Sequence, residues 1–146
     1  SSISDGAAAL VVMRESTATA RGLTPLARIA GHASYAHEPG LFTTAPVSAI
    51  KRLQERTGWA SESIDLYEVN EAFAVVPMVA MRDLGIPHDK MNIFGGACAI
   101  GHPIGASGAR IVVTLANALK QSGGKRGVAA VCIGGGEATA IAIELV

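Results

Sequence analysis

Gly127-Val128-Ala129-Ala130-Val131-Cys132-Ile133-Gly134-Gly135-Gly136-Glu137-Ala138-Thr139-Ala140-Ile141-Ala142-Ile143-Glu144-Leu145-Val146 decides the fold class. Two apolar runs of strand length flank three glycines, which reads as a hairpin of strands Gly127–Ile133 and Ala138–Val146. Neither run alternates cleanly with polar residues, so both strands are expected to be covered on both faces. Upstream, Ala27–Tyr35 and Ile64–Val69 read as further strands, Asn92–Gly96 as a short one, and Asp5–Met13 as a buried strand with paired valines. Between them, Pro46–Arg56 carries Val47, Ile50 and Leu53 at helical spacing, with proline in the first turn and Gly58 after the end. Glu71–Leu84 is expected to be a helix stopped by Gly85 and Pro87 and kinked at Pro77, and Ile104–Leu119 a helix with small residues in its first half. Glu15–Arg21 reads as a short helix ended by Gly22, with Thr24-Pro25 as a linker. The order implies an α/β domain: a mixed, mostly parallel five-stranded sheet with helices on both faces.

Bulk properties narrow the function. The 146 residues suit one domain, and the net charge is zero, which argues against a nucleic-acid partner. Charged residues are 16% of the chain, against roughly 25% in ordinary domains, and mean hydropathy is +0.36. Either part of the surface is covered by another domain or subunit, or alanine inflates the average. No apolar run reaches the roughly 18 residues of a membrane span, and Ser1–Gly6 does not resemble a signal peptide. Cys98 and Cys132 are too few for a disulfide scaffold, so a reducing, cytoplasmic compartment is expected.

Three short segments carry groups suited to chemistry. His102 lies in Gly101-His102-Pro103-Ile104-Gly105, just ahead of an expected helix start, where an imidazole can take a proton or donate to an oxyanion. A loop histidine bonded to backbone is the plainer alternative. Cys132 ends an expected strand, the side of an α/β sheet where sites form; a thiol there can move protons, or it can be a small buried hydrophobe. Asn70 stands between a strand and a helix, where its amide can hold a water or a carbonyl oxygen, cap the helix, or do both. Cys98 and His102, four apart, with His32, His37 and His88 elsewhere, do not have the paired spacing of a zinc site, so no metal is expected. No Gly-x-Gly-x-x-Gly or Walker lysine is present.

Together the segments resemble the thiolases: Asn70-Glu71-Ala72-Phe73, the long run Gly95-Gly96-Ala97-Cys98-Ala99-Ile100-Gly101-His102-Pro103-Ile104-Gly105-Ala106-Ser107-Gly108-Ala109-Arg110, and Cys132-Ile133-Gly134-Gly135-Gly136-Glu137, in that order. The resemblance covers essentially the whole chain. It implies that residues 1–25 are the last strand and helix of a thiolase N-terminal domain and 26–146 the C-terminal domain. It implies acyl transfer to coenzyme A or Claisen condensation of acetyl-CoA, with the CoA thioester as substrate and no separate cofactor. His102 would activate an acylated cysteine, and with a water held by Asn70 would donate to the thioester oxygen. Cys132 would move the α-proton, and the Gly134 N–H would serve a second oxyanion hole. Ser1, Phe42, Ala72 and Phe73 match positions that line the pantetheine and acyl pocket. The family's acylated cysteine matches no residue of this chain, so the chain is expected to be the C-terminal part of a longer enzyme. Alone it should be inactive, with a missing N-terminal half as partner and a dimer or tetramer when complete. A non-catalytic, thiolase-derived assembly domain is the competing reading; the persistence of Asn70, His102 and Cys132 favours descent from an active enzyme.

Overall fold

A computed structural model describes residues 1–146. In chain order it contains helix α1 (Glu15–Ala20), strand β1 (Ala27–Ala36), helix α2 (Ala45–Thr57), strand β2 (Leu66–Val69), helices α3 (Val75–Leu84), α4 (Ala97–Ile100) and α5 (Ser107–Ser122), and strands β3 (Arg126–Ile133) and β4 (Glu137–Leu145), with short 3-10 turns between. The sheet has four strands in the order β1-β4-β3-β2. Only β2 and β3 run parallel; β1–β4 and β3–β4 are antiparallel. The expected five-stranded, mostly parallel sheet is therefore corrected to a mixed, mainly antiparallel one of four strands. Burial on both faces makes strands apolar throughout, whichever direction their neighbours run.

The remaining two expected strands fail for separate reasons. Residues 5–13 are almost entirely exposed, and their nearest strand-like pairing is an isolated bridge from Ile3 to His102. At Asn92 the backbone has φ 47°, a left-handed conformation that asparagine adopts more readily than most residues. Its side chain then imitates a neighbouring strand: Oδ1 accepts from the Val69 N–H at 2.8 Å and Nδ2 donates to the Val69 carbonyl at 2.9 Å. That closes the outer edge of β2 without any further strand.

The hairpin forms as expected. Ile133 pairs with Glu137, and the Gly136 N–H closes the turn on the Ile133 carbonyl at 3.1 Å. Gly136 has φ 97° and lies against the His37 carbonyl, so a side chain there would be both strained and obstructed.

Side-chain alternation assigns the two faces. Val128, Ala130, Cys132, Ala138, Ala140 and Ala142 join Tyr67 and Val69 under α2 and α3. Ala129, Ile143 and Leu66 lie under Ile111, Leu115, Ala118 and Leu119 of α5. Helices thus cover both faces. Alanines on β3 and β4 let α2 approach closely, with Ile50 and Leu53 fully buried. Helices α2, α3 and α5 each end at a glycine of positive φ, Gly58, Gly85 and Gly123, whose N–H returns to a helix carbonyl. Pro77 causes no break, because it is the third residue of α3, where its missing N–H would have had no partner within the helix.

Gly127 marks the tightest approach of α5 to the sheet: a Cβ there would stand 2.7 Å from Leu115 Cδ1 and 2.9 Å from its Cγ. Leu115 is fully buried and has nowhere to move. Gly127→Ala is expected to destabilise the chain by about 1–3 kcal/mol through overpacking, read as a lower urea midpoint with an unchanged slope. No helix is long and apolar enough to cross a membrane.

Candidate functional site

The carboxyl ends of the parallel pair β2–β3 hold two of the three residues singled out from the sequence. Val69 pairs with Ala130, and the Asn70 N–H continues the ladder onto the Ala130 carbonyl at 2.9 Å. Asn70 and Cys132 therefore sit at the same end of adjacent strands. Cys132 packs with the core beneath α2 and α3, whereas the Asn70 side chain turns to the α5 side, toward Arg110.

His102 reaches this edge from the loop before α5, its backbone N–H held by the Ser2 carbonyl at 2.8 Å. The helix starts at Ser107, not at Ile104: residues 104–106 form a turn in which the Ala106 and Ser107 N–H groups both return to the Pro103 carbonyl. That turn brings Ser107 Oγ to 2.6 Å from His102 Nδ1. The serine hydroxyl donates to the Pro103 carbonyl at 3.1 Å, so its oxygen accepts from Nδ1–H and Nε2 keeps a bare lone pair. Asn70 Nδ2 lies 3.5 Å from that Nε2. The imidazole is thus held by a side chain, not by backbone. Asn70 caps no helix, since α3 opens five residues later with Ala74 at its cap.

Burial first, and the Arg110 guanidinium second, hold the His102 pKa below its usual value. The ring is neutral at pH 7 and ready to accept a proton. Cys132 is 8% exposed and a free thiol, and burial pushes its pKa up. At neutral pH it is protonated, and its thiolate, once formed, is a stronger base than an exposed one.

The residues expected to line a substrate pocket also cluster. Ser1 Oγ donates to the Ala72 carbonyl at 2.9 Å, and the Phe42 and Phe73 rings meet edge to face, 6.1 Å between centroids. Phe73 is half exposed, leaving an apolar face open beside the Asn70 strand end. The Gly134 position would admit a side chain without obstruction, so nothing within the chain fills the space beside it. Two shallow cavities, of about 410 and 420 Å³, lie beside Pro103–Ala106 and beside Arg52 and Glu137; neither joins Asn70, His102 and Cys132.

Three groups escape a reading from sequence: Ser107, Glu68 and Arg110. Arg110 Nη2 donates to Asn70 Oδ1 at 3.2 Å, and its Nη1 stands 3.5 Å from Glu68 Oε2. Glu68 is 2% exposed within the apolar strand Leu66-Tyr67-Glu68-Val69. A lone carboxylate in such a run was the available signal, since buried acids are seldom unpaired. Farther along the same edge, Glu71 anchors the next loop, taking hydrogen bonds from Asn92 Nδ2 at 2.9 Å and the Cys98 N–H at 3.0 Å.

Residues 23–145 match the family model described as the thiolase C-terminal domain. The chain belongs to the thiolase family. It is 48% identical over 144 residues to a mouse cytosolic acetyl-CoA acetyltransferase, covering 99% of this chain and 36% of that protein. The crystal structure of the Bacillus anthracis acetyl-CoA acetyltransferase superimposes with a TM-score of 0.89 at 40% identity, over 92% of this chain and 34% of that one. A thiolase from Ascaris suum, solved in complex with coenzyme A, gives 0.87 at 45% identity, over 91% and 34%. The chain thus spans about a third of the length of the thiolases it matches.

Proposed function

We propose that this thiolase segment supplies the acid/base half of an acetyl-CoA acetyltransferase or 3-ketoacyl-CoA thiolase, acting with an acylated cysteine from outside the chain. The carrying observation is the Asn70–His102–Ser107 arrangement, which leaves Nε2 unprotonated with its lone pair toward the Asn70 carboxamide N–H at the end of the sheet. In this reading His102 Nε2 takes the proton of the incoming nucleophilic thiol. Protonated, it then donates to the thioester oxygen, together with a water held by Asn70. Cys132, at the neighbouring strand end, exchanges the α-proton: removed for condensation, returned in thiolysis. The Gly134 N–H contributes to the hole for the acyl-enzyme carbonyl. Ser1, Phe42, Ala72 and Phe73 border the pantetheine and acyl group of the CoA thioester, and no further cofactor takes part.

Residues 1–25 belong, in this proposal, to the end of the preceding domain. The exposed apolar run Leu10–Met13, together with Leu23 and Leu26, is the surface such a domain would cover. The assembled enzyme is then a dimer or tetramer, and a cytosolic setting accords with the mouse relative's name.

The test is acetoacetyl-CoA thiolysis. The chain alone is expected to give no turnover, and turnover is expected when the cysteine-bearing N-terminal portion of an acetyl-CoA acetyltransferase is joined to it. Thiolysis by the isolated chain that survives Cys132→Ala would sink the proposal, and so would an inert joined protein that is folded and binds CoA.

A further inference from the structure

Beneath the site lies a buried guanidinium with no part in the proton transfers described above. Arg110 projects from α5 toward β2, with its side chain 15% exposed. Its Nε and Nη1 find no hydrogen-bond acceptor; Glu68 stands opposite Nη1 at 3.5 Å as a counter-charge only. The one hydrogen bond its guanidinium makes is from Nη2 to Asn70 Oδ1, at 3.2 Å. A buried cation so poorly satisfied carries a desolvation cost that this bond and the Glu68 charge offset. The bond settles which way round Asn70 lies. With Oδ1 held by a permanent cation, Nδ2 must face the imidazole. From the opposite side, Ser107 accepts from Nδ1–H because its own proton goes to the Pro103 carbonyl. Two separate clamps, about one ring, select the same tautomer. Were Asn70 reversed, its oxygen would face the Nε2 lone pair, and the ring could relieve that repulsion only by moving its proton from Nδ1 to Nε2, against Ser107.

We propose that Arg110, held against Glu68, is a positioning residue that locks the Asn70 carboxamide with its nitrogen toward His102, and with Ser107 keeps the imidazole in its Nδ1–H form with Nε2 free. Its catalytic value rests on the proposed function above; its effect on the tautomer does not. Arg110 touches neither the thioester nor any reacting atom.

The experiment is nitrogen-15 NMR on the chain itself, following the two ring nitrogens of His102 and the side-chain amide of Asn70. Wild type is expected to show one tautomer, protonated at Nδ1, and a well-resolved Asn70 amide. Arg110→Met should broaden or shift that amide and give a mixture of tautomers. Arg110→Lys, which keeps the charge without the planar fork, should fall between the two. If Arg110→Met does not fold, the lysine variant and the wild-type spectrum decide. A wild-type ring protonated at Nε2, or a folded variant of either kind with unchanged Asn70 and His102 signals, would overturn the proposal. In the joined enzyme Arg110→Met should lower kcat about 10- to 100-fold, as misplacement of a reacting group does, with KM for acetyl-CoA nearly unchanged. A joined wild-type enzyme without activity would defeat the proposed function while leaving the tautomer result to stand or fall by itself.

Discussion

Replacing Cys132 by alanine in the joined enzyme is expected to suppress exchange of the acetyl-CoA α-protons with solvent deuterium by about a thousandfold, within the range general-base catalysis usually contributes. Transfer of an acyl group onto the upstream cysteine should survive, because under the proposed roles that step would draw on His102 and needs no carbon acid. His102→Ala should remove both, since one imidazole would serve the thiol and the enolate oxygen. Cys132→Ser should not restore exchange: a hydroxyl is a far weaker acid than a thiol and supplies almost no anion at neutral pH. The acid limb of the acylation rate should lie below pH 6.5, because burial and the Arg110 charge depress the His102 pKa. Loss of acylation in Cys132→Ala, with exchange intact, would reverse the two roles.

The candidates themselves were legible in the linear chain. Asn70, His102 and Cys132 stand at glycine-flanked or strand-ending positions, a local pattern that marks them as candidates. Their spatial relation was not visible in the same way. Asn70 meets His102 directly, whereas Cys132 shares only the sheet end, on the core side of its strand. Strands β1, β3 and β4 and helices α2 and α5 follow from apolar spacing and glycine stops. Strand direction is legible only for β3 and β4, whose three-glycine turn marks a hairpin; no local pattern marks that β1 runs antiparallel beside β4. The stretch at 92–96 has strand-like composition, but its pairing is a single backbone bond, from the Asn92 N–H to the Tyr67 carbonyl, completed by the asparagine side chain, which no periodicity records. Ser107 and Arg110 lie in a helix start rich in small residues. Their roles depend on a turn at 104–106 and on partners as much as 42 residues away, Glu68 from Arg110 among them. The wholly apolar setting of Glu68 was the one local sign that something charged must face it.

That carboxylate supports the second large prediction, which concerns stability. Burial raises the Glu68 pKa to about 7; the Arg110 charge opposes the shift, and Glu71 adds to it. A carboxyl whose pKa is higher folded than unfolded binds its proton more tightly in the native state. Its contribution is therefore complete below the unfolded value, near 4.5, and disappears as pH rises through about 7. At 1.36 kcal/mol per unit, the loss across that window is about 3 kcal/mol. Glu68→Gln carries no such titration, so the stability of wild type minus that of the variant should fall by about this amount between pH 4.5 and pH 8. Urea unfolding of both proteins at a series of pH values checks it, because their shared titrations cancel in the difference. The sign separates two pictures of the Glu68–Arg110 pair. If the 3.5 Å contact acted chiefly as an ion pair, the Glu68 pKa would be depressed and the difference would instead rise with pH. A falling difference means that burial governs Glu68, and that near neutrality about half of the carboxyls are uncharged. Arg110 would then depend chiefly on the Asn70 oxygen for its partner, which is the contact that orients the amide toward His102.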